Sequence, residues 1–174
     1  MSVAHPWYLA CAGSAEFLYV LVQDLASLAS RPDATFRLTP LVHSSLTSLL
    51  PALSVPLPEP NSTLSPSHPA FAPLLAALSH FADGFLAVIQ EYTGVDGQLS
   101  EQFERDGVAR GSEWHDGGVL EDSKKDDEGN HVEAIGRGAK HRSWSYAAWV
   151  SAVLEREKAK RAVDAVEGAS ATTA

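Results

Sequence analysis

Charged residues are scarce in the first hundred positions of this chain. Residues 1–100 hold seven acidic and two basic side chains, and the first lysine is Lys124. Because nine charges can solvate only a small surface, we expect helices that are buried on more than one side or covered by another part of a protein. The chain of 174 residues is long enough for one domain of ordinary size.

Apolar spacing supports a helical fold. Phe17, Leu21, Leu25 and Leu28 recur every three or four residues, which predicts a helix from about residue 7 to residue 30. Thr39-Pro40 opens a shorter predicted helix that ends near Leu53. Two further helices are predicted over residues 71–93 and from Ser143 onward. We therefore predict an all-α fold of about four helices.

Three other segments differ from the helices in composition. Residues 54–70 hold five prolines and the triplet Asn61-Ser62-Thr63, which is either a chance match or an N-glycosylation acceptor of a secreted protein. Residues 110–142 are rich in charge and poor in large apolar side chains, so we expect an acidic, mobile loop insertion. Residues 167–174 are small, and we expect a disordered tail after a domain formed by residues 1–166.

Composition excludes several kinds of site. The net charge of −9 and pI near 5.1 argue against a nucleic-acid partner. Cys11 is the one cysteine and the histidines lack zinc-ligand spacing, so we expect no internal disulfide and no zinc site. The apolar run 7–22 is short, follows no lysine or arginine and contains Glu16, which favours a core helix over a signal peptide or membrane span.

Three side chains are candidates for a functional site. Glu101 shortly follows a glycine-containing turn, and Trp7 and Trp144 lie at predicted helix ends. A carboxylate at an element end can project into a cavity, and tryptophans there can stack on sugar rings. From spacing alone we favour an exposed or capping glutamate and tryptophans that simply pack.

The motifs around these residues carry a more specific signal. The first block is His5-Pro6-Trp7-Tyr8-Leu9; the second joins Ala82-Asp83-Gly84-Phe85 to Asp96-Gly97-Gln98-Leu99-Ser100-Glu101-Gln102-Phe103; the third is Trp144-Ser145-Tyr146-Ala147-Ala148. In this order and spacing, the three blocks closely resemble fungal glucoamylases, glycoside hydrolase family 15.

The resemblance implies a fold, a reaction and roles for the candidate residues. It implies part of an (α/α)6 toroid and the inverting hydrolysis of terminal α-1,4-linked glucose from starch-like polysaccharides. Glu101 would be the general base, and Trp7 and Trp144 would line the glucose pocket. The partner would be starch or another α-glucan, with no cofactor and no membrane, and the complete family protein would be secreted.

The chain also departs from the family pattern. It begins only a few residues before the Pro-Trp motif, whereas the family's general acid lies upstream, so residues 1–166 are expected to be a C-terminal portion of the catalytic domain. Phe103 stands where the family often has tyrosine, and the insertion of 110–142 is longer than usual. We therefore expect the isolated chain to be inactive. The alternative is an inactive remnant or partial gene model that binds sugar weakly at most.

Overall fold

The computed structural model describes residues 7–31, 33–50, 53, 55–93, 99, 102–103, 136–137 and 143–172. Within this part of the chain there are four α-helices: α1 (Tyr8–Ser27), α2 (Pro40–Leu49), α3 (Phe71–Glu91) and α4 (Ser143–Thr172). A short 3₁₀ helix, Leu28–Ser30, follows α1. The predicted all-α fold of about four helices is confirmed.

In the part of the chain that the structure describes, four two-residue strands accompany the helices. β1 (Phe36–Arg37) pairs antiparallel with β2 (Thr63–Leu64), with Phe36 opposite Leu64. β3 (Gln102–Phe103) pairs antiparallel with β4 (Gly136–Arg137), with Phe103 opposite Gly136. The sequence did not predict these strands, because two residues are too few to show the alternation typical of a strand.

Helix α1 buries a different side from the one its largest apolar residues suggest. The most deeply buried positions are Tyr8, Ala12, Ala15, Tyr19 and Val22, which follow each other at three- and four-residue intervals; Leu18, Leu25 and Ala26 are buried beside them. Phe17, by contrast, is 67% exposed. Since α1 is apolar almost all round, its periodicity predicts a helix without identifying the buried side.

Helices α2 and α3 begin as their sequences suggest. Thr39 caps α2, because its hydroxyl accepts a hydrogen bond from the N–H of Val42 at 3.3 Å and Pro40 occupies the first turn. In α3, Pro73 also lies in the first turn, where its missing N–H costs no helical hydrogen bond. The buried side of α3 keeps regular helical spacing: Phe71, Leu74, Leu75, Leu78, Ala82, Leu86 and Ile89.

Helix α4 continues through most of the segment expected to be a disordered tail. It ends at Thr172, so residues 167–172 are helical. Val163 and Val166 are buried shortly before this stretch, and Ala165, Ala169 and Ala171 favour helix. Side-chain size alone therefore did not predict the end of this helix, because the alanines extend a helix that is already packed even though Gly168 does not favour one.

Among the described residues, two helical stretches are long and apolar enough to cross a membrane by length and composition alone, Tyr8–Ser30 and Phe71–Glu91. The stretch Tyr8–Ser30 is longer than the apolar run of residues 7–22, whose length the sequence analysis took as an argument against a membrane span. Core helices of soluble proteins meet the same criterion, and both stretches bury large side chains, among them Tyr19 and Leu75.

The chain divides into two compact units. The first contains Met1–Ala15 and Phe85–Ala152, and the second contains Glu16–Gly84 and Val153–Ala174. Because α1, α3 and α4 each contribute to both units, neither corresponds to a continuous segment of sequence.

Polar contacts in the second unit join residues far apart in the sequence. The Tyr19 hydroxyl and the Arg156 Nε each donate a hydrogen bond to Oδ1 of Asp83 at 2.6 Å. The Gln23 side-chain amide donates to Oε2 of Glu155 at 2.8 Å. These bonds connect α1, α3 and α4 within the unit. Arg156 also forms an ion pair with Asp83.

Candidate functional site

The first unit contains the first and third sequence blocks and the part of the second block from Phe85 onward, so its range includes all three candidate residues. Its described part includes Trp7 before α1, Leu99 and the strand Gln102–Phe103 from the middle block, and Trp144 in the first turn of α4. Glu101 lies outside the described residues. The structure thus assigns both tryptophans to one compact unit.

The start of α4 gives three consecutive side chains different environments. Trp144 is 48% exposed, whereas Ser145 is only 1% exposed. The hydroxyl oxygen of Tyr146 accepts a hydrogen bond from the backbone N–H of Leu99 at 3.0 Å. Leu99 is itself buried and lies two residues before Glu101 in the sequence. Tyr146 therefore binds the backbone of Leu99, which belongs to the middle block, to the third block.

The first block is held by the residue next to its tryptophan. Trp7 is 45% exposed, and its carbonyl accepts a hydrogen bond from the N–H of Cys11 at 3.0 Å. Tyr8 is buried, and its hydroxyl donates a hydrogen bond to the carbonyl of Tyr92, just after α3. Burial, with a smaller contribution from Cys11, raises the pKa of the Tyr8 phenol, so this hydroxyl stays protonated as a donor.

The segment after Glu101 is paired with the end of the charged insertion. Gln102 lies opposite Arg137 and Phe103 lies opposite Gly136 in the β3–β4 ladder. Most of residues 110–142 lies outside the described part of the chain. The paired strand nevertheless brings the backbone of residues 136–137 beside the two residues that directly follow Glu101.

Metal binding finds no support in the described residues. Among them, no group of three or more His, Cys, Asp or Glu side chains could hold a metal ion. Cys11 is partly buried, and burial raises the pKa of its thiol, which keeps it protonated and a poor metal ligand.

The ion pair in the second unit also shifts pKa values. Burial acts to raise the pKa of the Asp83 carboxyl, but hydrogen bonds from Arg156 and Tyr19 outweigh it and hold the pKa below its usual value. Burial, followed by the bond to Asp83, raises the pKa of Tyr19. The carboxylate of Asp83 is thus kept ionised between a guanidinium and a neutral phenol.

Sequence reasoning missed the positioning residues rather than the motifs. Tyr8, Tyr146 and Asp83 all lie within the quoted blocks, yet none was given a role. Each forms a hydrogen bond with a residue far away in the sequence. Tyr8 lies 84 positions from Tyr92, Tyr146 lies 47 positions from Leu99, and Asp83 lies 73 positions from Arg156. Such distant pairings leave no periodic signal.

Comparison with known protein families shows to which family the three sequence blocks belong. Residues 2–154 match the model of the family described as "Glycosyl hydrolases family 15". The chain belongs to glycosyl hydrolase family 15. The resemblance to this family that the motifs indicated is therefore confirmed.

Curated members of the family match most of this chain. A glucoamylase of Neurospora crassa is 28% identical over 152 residues, which cover 87% of this chain and 18% of the relative. Glucoamylase-1 of Arthroderma benhamiae is 33% identical over 104 residues, covering 59% of this chain and 15% of the relative. The chain spans less than a fifth of the length of these relatives.

Solved structures of family 15 support the fold. The glucoamylase of Hypocrea jecorina matches with a TM-score of 0.56 and 24% identity, covering 89% of this chain and 20% of that one. The glucoamylase of Hormoconis resinae matches with a TM-score of 0.54 and 26% identity, covering 87% of this chain and 20% of that one. The all-α fold therefore corresponds to a portion of a family 15 catalytic toroid, as the resemblance implied.

Proposed function

We propose that this family 15 chain contributes to the inverting hydrolysis of terminal α-1,4-linked glucose from starch-like polysaccharides. In this proposal Glu101 is the general base, and Trp7 and Trp144 line the glucose pocket. The contact that supports it best is the hydrogen bond between Tyr146 and Leu99, which ties the block of Trp144 to the segment that leads into Glu101.

The residue types suit this chemistry. An inverting glycosidase uses two carboxyl groups roughly 6.5–9.5 Å apart, so that a water molecule fits between the base and the sugar. The ionised carboxylate of Glu101 takes a proton from that water as its oxygen attacks the anomeric carbon. A second, protonated carboxyl group donates a proton to the departing glycosidic oxygen.

The exposed tryptophans fit the role of a sugar platform. Trp7 and Trp144 are each close to half exposed although both are large apolar side chains. Flat aromatic faces stack against the C–H faces of glucose, and their exposure leaves area for that contact. Both tryptophans belong to the same unit as the Leu99 segment, which is the arrangement that a shared pocket requires.

The isolated chain is proposed to lack hydrolytic activity. The carboxyl groups nearest to Glu101 in the sequence are Asp96, Glu104 and Asp106, and none matches the family's general acid. The relatives named glucoamylase are more than five times as long as the segment that this chain matches. The acid and the rest of the pocket would therefore come from a further part of the domain.

A second candidate function is weak sugar binding without catalysis. It describes the chain as an inactive remnant or the product of a partial gene model. The half-exposed Trp7 and Trp144 favour it, since sugar stacking needs neither a general acid nor a complete toroid.

Secretion completes the proposal. Starch is an extracellular polymer for most cells that degrade it with released enzymes, and the resemblance implies a secreted complete protein.

A hybrid enzyme tests the role of Glu101. Residues 2–154 replace the matching segment of the Neurospora crassa glucoamylase, and glucose release from maltotriose is measured. We expect an active hybrid, and we expect Glu101→Gln to lower kcat at least about 100-fold, because an amide cannot accept the proton of the attacking water.

A matched control uses another glutamate. Glu91 is exposed at the end of α3, and Glu91→Gln should leave kcat unchanged. A folded, active hybrid in which Glu101→Gln keeps full activity contradicts the assignment of the base.

A further inference from the structure

We propose that Asn61 is the acceptor of an N-linked oligosaccharide. The triplet Asn61-Ser62-Thr63 has the required asparagine and the required hydroxyl residue two positions later, with no proline between them. The only other asparagine, Asn130, is followed by His131 and Val132 and does not fit the pattern. The chain therefore offers one candidate acceptor, Asn61. This residue has no part in the hydrolysis proposed for Glu101.

The backbone presents Asn61 at the tip of a tight turn. The N–H of Ser62 donates a hydrogen bond to the carbonyl of Glu59 at 3.2 Å, which closes a four-residue turn. Pro60 is the second residue, and Asn61 is the third with a φ of 68°. These are the features of a type II turn, in which the third residue must adopt positive φ and asparagine is tolerated there.

The turn is anchored to a strand on both sides of Asn61. The Asn61 N–H donates to the carbonyl of Leu38 at 2.6 Å, and the Leu38 N–H donates to the carbonyl of Ser62 at 3.0 Å. Thr63 then pairs with Arg37 in the β1–β2 ladder, and the next residue, Leu64, is buried. The acceptor is thus held by its backbone in the second unit and not by its side chain.

The side chains that the transfer needs face solvent. Asn61 and Thr63 are both exposed. No hydrogen bond links the amide of Asn61 or the hydroxyl of Thr63 to another residue that the structure describes. A bulky glycan on Asn61 would therefore displace no packed group, in contrast to an asparagine in a helix or a buried strand.

The modification is a group transfer from a lipid-diphosphate-linked oligosaccharide in the lumen of the secretory pathway. The Nδ2 atom of Asn61 forms a bond to the anomeric carbon of the first sugar, and the bond from that carbon to the diphosphate oxygen breaks. The lipid diphosphate leaves with the bonding electron pair, and the amide nitrogen loses one proton. The step rests on the proposed secretion and is independent of hydrolysis by Glu101.

A glycan at this position would also restrict the assembly of the protein. The turn formed by residues 59–62 has to face solvent in the mature protein, because an oligosaccharide cannot be packed into an interface. Any further part of the domain would have to cover a different side of the second unit.

Translation in the presence of microsomes tests the proposal. The full chain is made behind a cleavable secretion leader, with an Asn-Ser-Thr triplet in a glycine–serine extension after Ala174 that reports entry into the lumen. We expect the mass to rise by two increments, from one glycan on Asn61 and one on the extension. A glycosidase that cleaves the amide bond should remove both and leave aspartate at position 61. A product modified at the extension alone would overturn the proposal.

Matched variants separate the acceptor from the fold. Asn61→Gly keeps a residue that favours positive φ, and Thr63→Val keeps a β-branched strand residue without its hydroxyl; each should lose one increment. Thr63→Ser and Asn130→Gln should keep both increments. Retention of both increments in Asn61→Gly would place the glycan elsewhere and contradict the assignment.

Discussion

The phenolic oxygen of Tyr146 accepts a hydrogen bond from the backbone N–H of Leu99 at 3.0 Å. This bond connects the first turn of α4 to a residue only two positions before Glu101. In the first unit it joins two of the three sequence blocks that identify the family, and it explains why a tyrosine follows the exposed Trp144 and the buried Ser145.

Replacing Tyr146 with phenylalanine should release the Leu99 segment. The buried Leu99 N–H loses its acceptor, and we expect the free energy of unfolding to fall by about 1–3 kcal/mol. Hydrogen exchange should accelerate at the Leu99 amide but not at the Leu38 amide, which donates to Ser62 in the second unit. Unchanged protection of Leu99 would contradict the role assigned to Tyr146.

Two buried tyrosines provide a matched pair for a second prediction. Tyr8 donates to a neutral carbonyl, whereas Tyr19 donates to the carboxylate of Asp83. Hydrogen bonds to charged groups contribute more, so Tyr8→Phe should lower the free energy of unfolding by about 1 kcal/mol and Tyr19→Phe by about 2 kcal/mol. Urea unfolding of both variants measures the difference, and the reverse order would argue against a charged Asp83.

The Asp83 carboxyl should make stability depend on acid pH. Its folded pKa lies below the ordinary value of 3.8, so its contribution is present above that value and is lost as pH falls through the depressed folded pKa. Asp83→Asn should therefore be less stable than the natural chain at pH 6, with a gap that narrows in acid. Unfolding profiles that run parallel down to pH 2.5 would show that Asp83 is not stabilised as a carboxylate.

The two exposed tryptophans should affect sugar binding more than stability. Both Trp7→Ala and Trp144→Ala should lower the free energy of unfolding by only about 1–2 kcal/mol, because each side chain is close to half exposed. Titration of the isolated chain with maltose, followed by tryptophan fluorescence, should lose its response in each variant, and Trp144→Phe should retain part of it.

The same isolated chain should release no glucose from maltotriose. Turnover that disappears in Glu101→Gln would contradict the proposal that the general acid comes from another part of the domain. Maltose binding that survives both tryptophan substitutions would instead contradict the assignment of the pocket.

The fold could be predicted largely because helices leave a local signal. Regular spacing along residues 71–89 identifies α3, and Thr39-Pro40 identifies the start of α2. The buried side of α1 could not be predicted, because Phe17 and Tyr19 are both apolar and only packing decides between them. The pairing of β1 with β2 joins residues 26 to 28 positions apart, Arg37 with Thr63 and Phe36 with Leu64, and has no local signature.

The motifs indicate which residues are candidates, but the surroundings of those residues could not be predicted from the sequence. Spacing alone favoured tryptophans that pack, yet Trp7 and Trp144 are substantially exposed. The hydrogen bonds of Tyr8 and Tyr146 connect positions that no periodicity relates. The role of Glu101 stays a prediction, since that residue lies outside the described part of the chain.

The anomeric form of the first product tests the central claim most directly. In the hybrid that carries residues 2–154, proton NMR of maltotriose hydrolysis is recorded before the released glucose equilibrates. Attack by water activated by Glu101 on the face opposite the leaving group predicts β-glucose, and Glu101→Gln should abolish its formation. Initial release of α-glucose, or β-glucose formed at an unchanged rate by Glu101→Gln, would contradict the account.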